Sequence, residues 1–141
     1  MKKLCLIVAL CVCVMLFAAC DSATFSQASP YDDILPSEEV TLSLKEGSLK
    51  ETGAVLLLEN RTQEQMTYDH VFALEQQRDG NWYSFDQEME FDALGILLEP
   101  QETHELSVDW GVKLPKGNYR IVKSVTAAGK GRSLAAEFTV E

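Results

Sequence analysis

Two histidines, three alternating carboxylates, two tryptophans and a cysteine behind a pair of alanines are the residues of this chain whose types could do chemistry. His70 and His104 lie far apart in the sequence and lack flanking ligands at the spacings metal sites use, so both read as surface histidines. Glu88, Glu90 and Asp92 alternate and would share one face of a strand. A Ca²⁺ ion needs about six to eight oxygens, so a charged edge that blocks strand pairing is the better reading. Ser43, Ser84 and Ser107 fall in strand-like runs without the sharp glycine-flanked turn that exposes a nucleophile. No carboxylate pair is marked out as acid and nucleophile. The sequence therefore predicts no enzyme, no metal and no cofactor. It does offer stacking surfaces: Trp82 and Trp110 could lie against sugar rings or anchor a protein partner. Along residues 82–85, Trp82 and Ser84 point one way and Tyr83 and Phe85 the other, so one pair at most faces inward. Burial of one or both tryptophans in the core is the competing expectation.

Cys20 has the most distinctive setting. Residues 4–19 are apolar throughout but number only sixteen, short of the roughly 20 that cross a bilayer core. Lys2 and Lys3 supply a positive n-region, the leucine and valine run an h-region, and Ala18-Ala19 a small-residue cleavage site. Leu16-Phe17-Ala18-Ala19-Cys20 resembles a bacterial lipobox, with Phe17 where leucine or valine is usual. That resemblance implies a signal peptide over residues 1–19 and a diacylglycerol thioether on Cys20, which becomes the mature N-terminus. Stable anchoring takes two acyl chains, so the expected location is the extracytoplasmic side of the cell membrane. Where an outer membrane exists, Asp21 directly after the cysteine resembles a signal for retention at the inner one.

The other cysteines, Cys5, Cys11 and Cys13, all lie within the signal, so the exported body has no thiols to pair and depends on its hydrophobic core. Without Lys2 and Lys3, ten basic residues stand against 22 acidic ones, a formal charge of −12. Nucleic acid, which needs basic patches, is thereby not an expected partner.

Residues 20–39, with two prolines and no sustained periodicity, predict a lipidated cysteine followed by a flexible tether. Tyr31 and Ile34-Leu35 leave open a first edge strand or a segment lying across the body. From residue 40 to 141 the chain predicts one domain of seven or eight short strands and no helix. The predicted strands cover residues 40–44, 54–59, 71–77, 82–85, 94–98, 105–110, 118–125 and 133–140. Asp79-Gly80 and Gly129-Lys130-Gly131 close two hairpins. Spacing of about ten residues with Gly, Pro and Asp at the joints argues for an all-β Greek-key sandwich. Leu114-Pro115-Lys116-Gly117-Asn118-Tyr119 places Tyr119 where a tyrosine corner forms.

Several of these positions together resemble the bacterial immunoglobulin-like domains of secreted lipoproteins, chiefly Gram-positive. They are Asn60; Leu74-Glu75 with Asp79-Gly80-Asn81-Trp82-Tyr83; Leu98-Glu99-Pro100-Gln101-Glu102-Thr103; Asp109-Trp110; and residues 114–123, ending Tyr119-Arg120-Ile121-Val122-Lys123. Gln101 departs from the glycine that commonly follows the proline. The resemblance implies an immunoglobulin-like β-sandwich without catalytic machinery. The expected function is a membrane-anchored module that binds a protein partner at the cell envelope through loops or an open sheet edge. The alternative is a carbohydrate-binding surface lipoprotein using Trp82 and Trp110.

Overall fold

The computed structural model describes residues 22–31 and 33–141. Residues 1–19, expected to be a signal peptide, and Cys20 lie outside the described residues. Ten strands run through the rest: β1 Phe25–Ala28, β2 Val40–Leu44, β3 Gly53–Asn60, β4 Met66–Tyr68, β5 Ala73–Arg78, β6 Asn81–Phe85, β7 Ile96–Leu98, β8 Thr103–Asp109, β9 Gly117–Ala127 and β10 Lys130–Val140. They form two sheets, β2-β3-β8 and β1-β6-β5-β9-β4-β7 with β10 on the free side of β9. The chain crosses between sheets after β1, after β3, before β8 and again before β9, which is the Greek-key winding of a sandwich.

Alternation decides what each strand buries. On β3, Ala54, Leu56 and Leu58 point inward while Val55, Leu57 and Glu59 are half-exposed. Leu106 and Val108 on β8 and Leu134, Ala136 and Phe138 on β10 meet them from their own inward faces. A chain of rings runs through the core: Phe85 to Phe25 at 5.3 Å, Phe25 to Tyr119 at 5.6 Å, Tyr119 to Phe138 at 5.6 Å, and Phe138 to Trp110 at 5.8 Å. Each such pair adds about 0.5–1.5 kcal/mol beyond the area it buries.

Turn chemistry sets the registers. Asp79-Gly80 has φ of 51° and 79°, and Ala128-Gly129 has 48° and 74°, the double left-handed geometry of two-residue hairpins. The second hairpin therefore turns on Ala128-Gly129, with Lys130 and Gly131 already in β10. At Gly53 no side chain fits, because a Cβ there would stand 2.5 Å from the Val108 carbonyl oxygen. Asn60 is fully buried at the end of β3. Its amide donates to the Glu64 and Glu99 carbonyls at 2.8 and 3.2 Å, and its Oδ1 accepts from the Thr62 amide and hydroxyl at 3.0 and 2.7 Å. One side chain thus satisfies polar groups where two loops meet.

Two features depart from the reading of the sequence. The first is the tether. Phe25–Ala28 is a strand antiparallel to β6, and Ala23 and Phe25 are buried in the core, so residues 20–39 are not flexible throughout. A single inward ring and hydrogen bonds to an otherwise open edge hold the segment in place, a tertiary effect that leaves almost no periodicity in four residues. The second is the strand expected over residues 71–77. It begins only at Ala73, as β5, because residues 69–72 form a kink that leaves Val71 exposed, and the short β4 ahead of the kink is a strand the sequence reading did not assign. Lys123 explains how the kink is tolerated: its ammonium donates to the Asp69 and Val71 carbonyls, the latter at 2.7 Å, capping groups that the ladder leaves open. Burial pushes that ammonium below its ordinary pKa, with the Asp69 carboxylate pulling weakly the other way.

Candidate functional site

The outward face of the larger sheet is partly covered, and its cover borders a concavity. Register places Ser84, Glu75, Arg120 and Glu137 side by side on that face, with Trp82 two residues from Ser84 on the same side. Residues 29–31 and 33–39 cross it between β1 and β2. Ser29 bonds to the Trp82 carbonyl and reaches toward Arg120, while Arg132 on β10 holds Ser37 at 3.1 Å and Glu39 at 3.7 Å. Val122 points outward yet is only 1 % exposed. Tyr31 and Ile34-Leu35 thus lie across the body rather than forming an edge strand.

Beneath the crossing segment is a buried ion pair. Arg120 Nε donates to Glu75 Oε2 at 2.6 Å, with both side chains nearly inaccessible. Glu75 Oε1 has no hydrogen-bond partner among the described residues. Such a pair contributes little net stability, but losing one member typically costs about 3–5 kcal/mol, because the other charge is left uncompensated. The Arg120 guanidinium carbon also lies 4.4 Å from the centre of the Trp82 ring, so the ring shields the pair from water while the cation fixes the ring. Ser29, Tyr31, Asp33, Asn81, Trp82 and Arg120 together border a groove of about 450 Å³.

The residues singled out in the sequence have separated fates. Trp82 is half-buried at this groove. Trp110 is a correction to the stacking pair: it is 3 % exposed, Phe138 stacks on its ring, and its indole N–H donates to the Glu51 carbonyl at 3.3 Å, so it offers no face to a ligand. Tyr119 is fully buried, its hydroxyl donating to the Pro115 carbonyl at 2.6 Å and accepting from Gln76 at 3.1 Å, the geometry of a tyrosine corner. Burial raises its phenol pKa. Cys20 lies outside the described residues.

His104 corrects the expectation of two surface histidines. It sits half-buried between the Tyr68 hydroxyl at 2.7 Å and the Glu102 carboxylate at 3.3 Å. Burial, then the Glu102 charge, raises the Tyr68 pKa. His70 is exposed and pairs with Asp92 at 2.7 Å. Glu88, Glu90 and Asp92 sit in the irregular stretch between β6 and β7 rather than on a strand, and share no strand face. Among the described residues, no group of three or more His, Cys, Asp or Glu is placed to hold a metal ion.

Sequence reasoning missed the Glu75–Arg120 pair, although both residues were in view. On a strand the alternation of Leu74 with Glu75 and of Ile121 with Arg120 marks the charged residues as outward, and the Trp82 ring over Arg120 together with the crossing segment at Ser29 leaves them buried.

A family model described as a bacterial Ig-like domain matches residues 36–139. No curated protein matches the chain.

Proposed function

Because the chain belongs to the bacterial Ig-like domain family, we propose that it is a noncatalytic interaction module. In this reading a lipid on Cys20 anchors it to the outer side of the cell membrane, and a protein of the cell envelope binds in the groove around Trp82. The observation that supports the groove is the convergence of Trp82, Tyr31 and Arg120, with the Trp82 ring and the Arg120 guanidinium already held against each other. Tryptophan, tyrosine and arginine are the side chains that most often dominate protein interfaces, and a ring clamped by a guanidinium loses little freedom when a partner arrives. A glycan platform is the weaker reading, since the burial of Trp110 leaves Trp82 as one ring with a cation on one of its faces.

The test is photo-crosslinking in cells from a reactive group at the exposed Asn81 of the full-length protein. A discrete envelope protein should be captured, and Trp82→Ala should abolish the capture while the far-ultraviolet strand spectrum stays unchanged. Capture that survives Trp82→Ala, or binding to glycans alone, contradicts the assignment.

A further inference from the structure

We infer that the edge of the sandwich built by residues 86–97 is a lipid-facing surface that rests in the headgroup layer of the membrane. The inference rests on the proposed lipid at Cys20. With β1 part of the fold, the leash is short: the three residues from Cys20 to the buried Ala23 span at most about 11 Å fully extended. A body tied that closely to an interfacial thioether cannot stand clear of the bilayer, so some part of its surface must meet the headgroups.

The path of the chain selects that part. The Thr24 carbonyl accepts from the Asp86 amide at 2.9 Å, and Asp86 Oδ1 accepts from the Ser26 amide and hydroxyl at 2.9 and 2.8 Å. The anchor therefore enters beside the start of the stretch that leads from β6 to β7. Phe91 packs edge-on against Phe72 at 5.2 Å and Asp92 binds His70 at 2.7 Å, so this stretch is fixed against the kink at residues 69–72.

Along it lie Leu94, 66 % exposed, and Leu97, 52 % exposed on the open edge strand β7, with Val71, 46 % exposed, on the kink. These are three of the five large exposed hydrophobics among the described residues. Of the other two, Leu35 is on the crossing segment, and Leu49 borders a cavity with the C-terminal Glu141, beyond the opposite ends of the strands. The neighbouring carboxylates of Glu88 and Glu90 are exposed and would be repelled by anionic lipid. The occupant that fits both features is a zwitterionic leaflet, phosphatidylethanolamine above all, whose ammonium groups meet the carboxylates while the leucines enter between the headgroups.

Processed full-length protein has no free thiol once Cys20 is a thioether, so Leu94→Cys, Leu97→Cys and Leu49→Cys each give one labelling site. The labelled proteins are reconstituted into phosphatidylethanolamine and phosphatidylcholine vesicles carrying a spin-labelled lipid quencher. Fluorophores at 94 and 97 should be quenched by the lipid probe and protected from aqueous iodide, while the one at 49 should show the reverse. Equal behaviour at all three sites, with the protein still floating with the vesicles, overturns lipid contact and leaves the anchor standing. Failure to float, with no diacylglycerol in the mass of the N-terminal peptide, overturns the anchor and the contact together.

Discussion

Backbone conformation at Gln101 shows how a single residue can depart from its family and keep the same turn. Pro100 and Gln101 are the central residues of a turn closed by the Glu102 amide on the Glu99 carbonyl at 3.2 Å, and Gln101 has φ of 66°. Proline followed by a left-handed residue is the type II pattern, for which glycine is the unstrained choice. Glutamine offsets the strain, since its side-chain amide donates to the Arg61 and Thr62 carbonyls at 2.9 Å each, tying this turn to the loop after Asn60. Removing those bonds while keeping the strain should cost about 1–2 kcal/mol in Gln101→Ala. Gln101→Gly should cost about 1 kcal/mol less, because it also removes the left-handed penalty. Denaturant midpoints decide it, and equal losses in the two variants would refute the compensation. A bend at Pro100 was legible in the sequence, whereas the left-handed conformation of Gln101 was not, since glycine is the residue that signals it. Nor were the bonds that sustain it, since they join residues about forty positions apart.

At the scale of an element, β1 is held by one ring and one carboxylate. Phe25 contacts Phe85 and Tyr119, and its carbonyl accepts from the Arg78 guanidinium. Asp86 receives two hydrogen bonds from Ser26, and the Ser26 amide, followed by its hydroxyl, holds the Asp86 carboxyl below its ordinary 3.8. A carboxyl whose pKa is depressed by folding stabilises above its unfolded value, and that contribution is lost as pH falls through the folded one. Below about pH 4, amide exchange at Ser26 relative to the core should therefore accelerate beyond the intrinsic pH trend, and Asp86→Asn should remove that extra acceleration. An Asp86→Asn protein with the same acid response would assign it to other groups. Phe25→Ala should destabilise the whole fold by about 3–5 kcal/mol, measured by chemical unfolding, whereas a residue in a free tether would cost nothing.

For the molecule as a whole, anchoring and binding are separable. Cys20→Ser should release the protein from the membrane fraction or leave its precursor uncut, which fractionation and N-terminal mass measurement would read. Unchanged retention and processing would remove the lipid from the account. The sequence by itself determined the all-strand class and the position of eight strands, because period-two alternation and Gly, Pro and Asp at turns act over a few residues, while the bacterial Ig-like family was legible only as a resemblance of particular motifs such as residues 114–123. The body's lack of cysteines for disulfides was equally visible. Only the tertiary structure decided that Phe25–Ala28 joins the sheet, that Trp110 is core while Trp82 borders a groove, and that Glu75 and Arg120 are buried. Strand periodicity says which side of a sheet a residue faces, and burial on the outer side depends on what a distant segment lays over it.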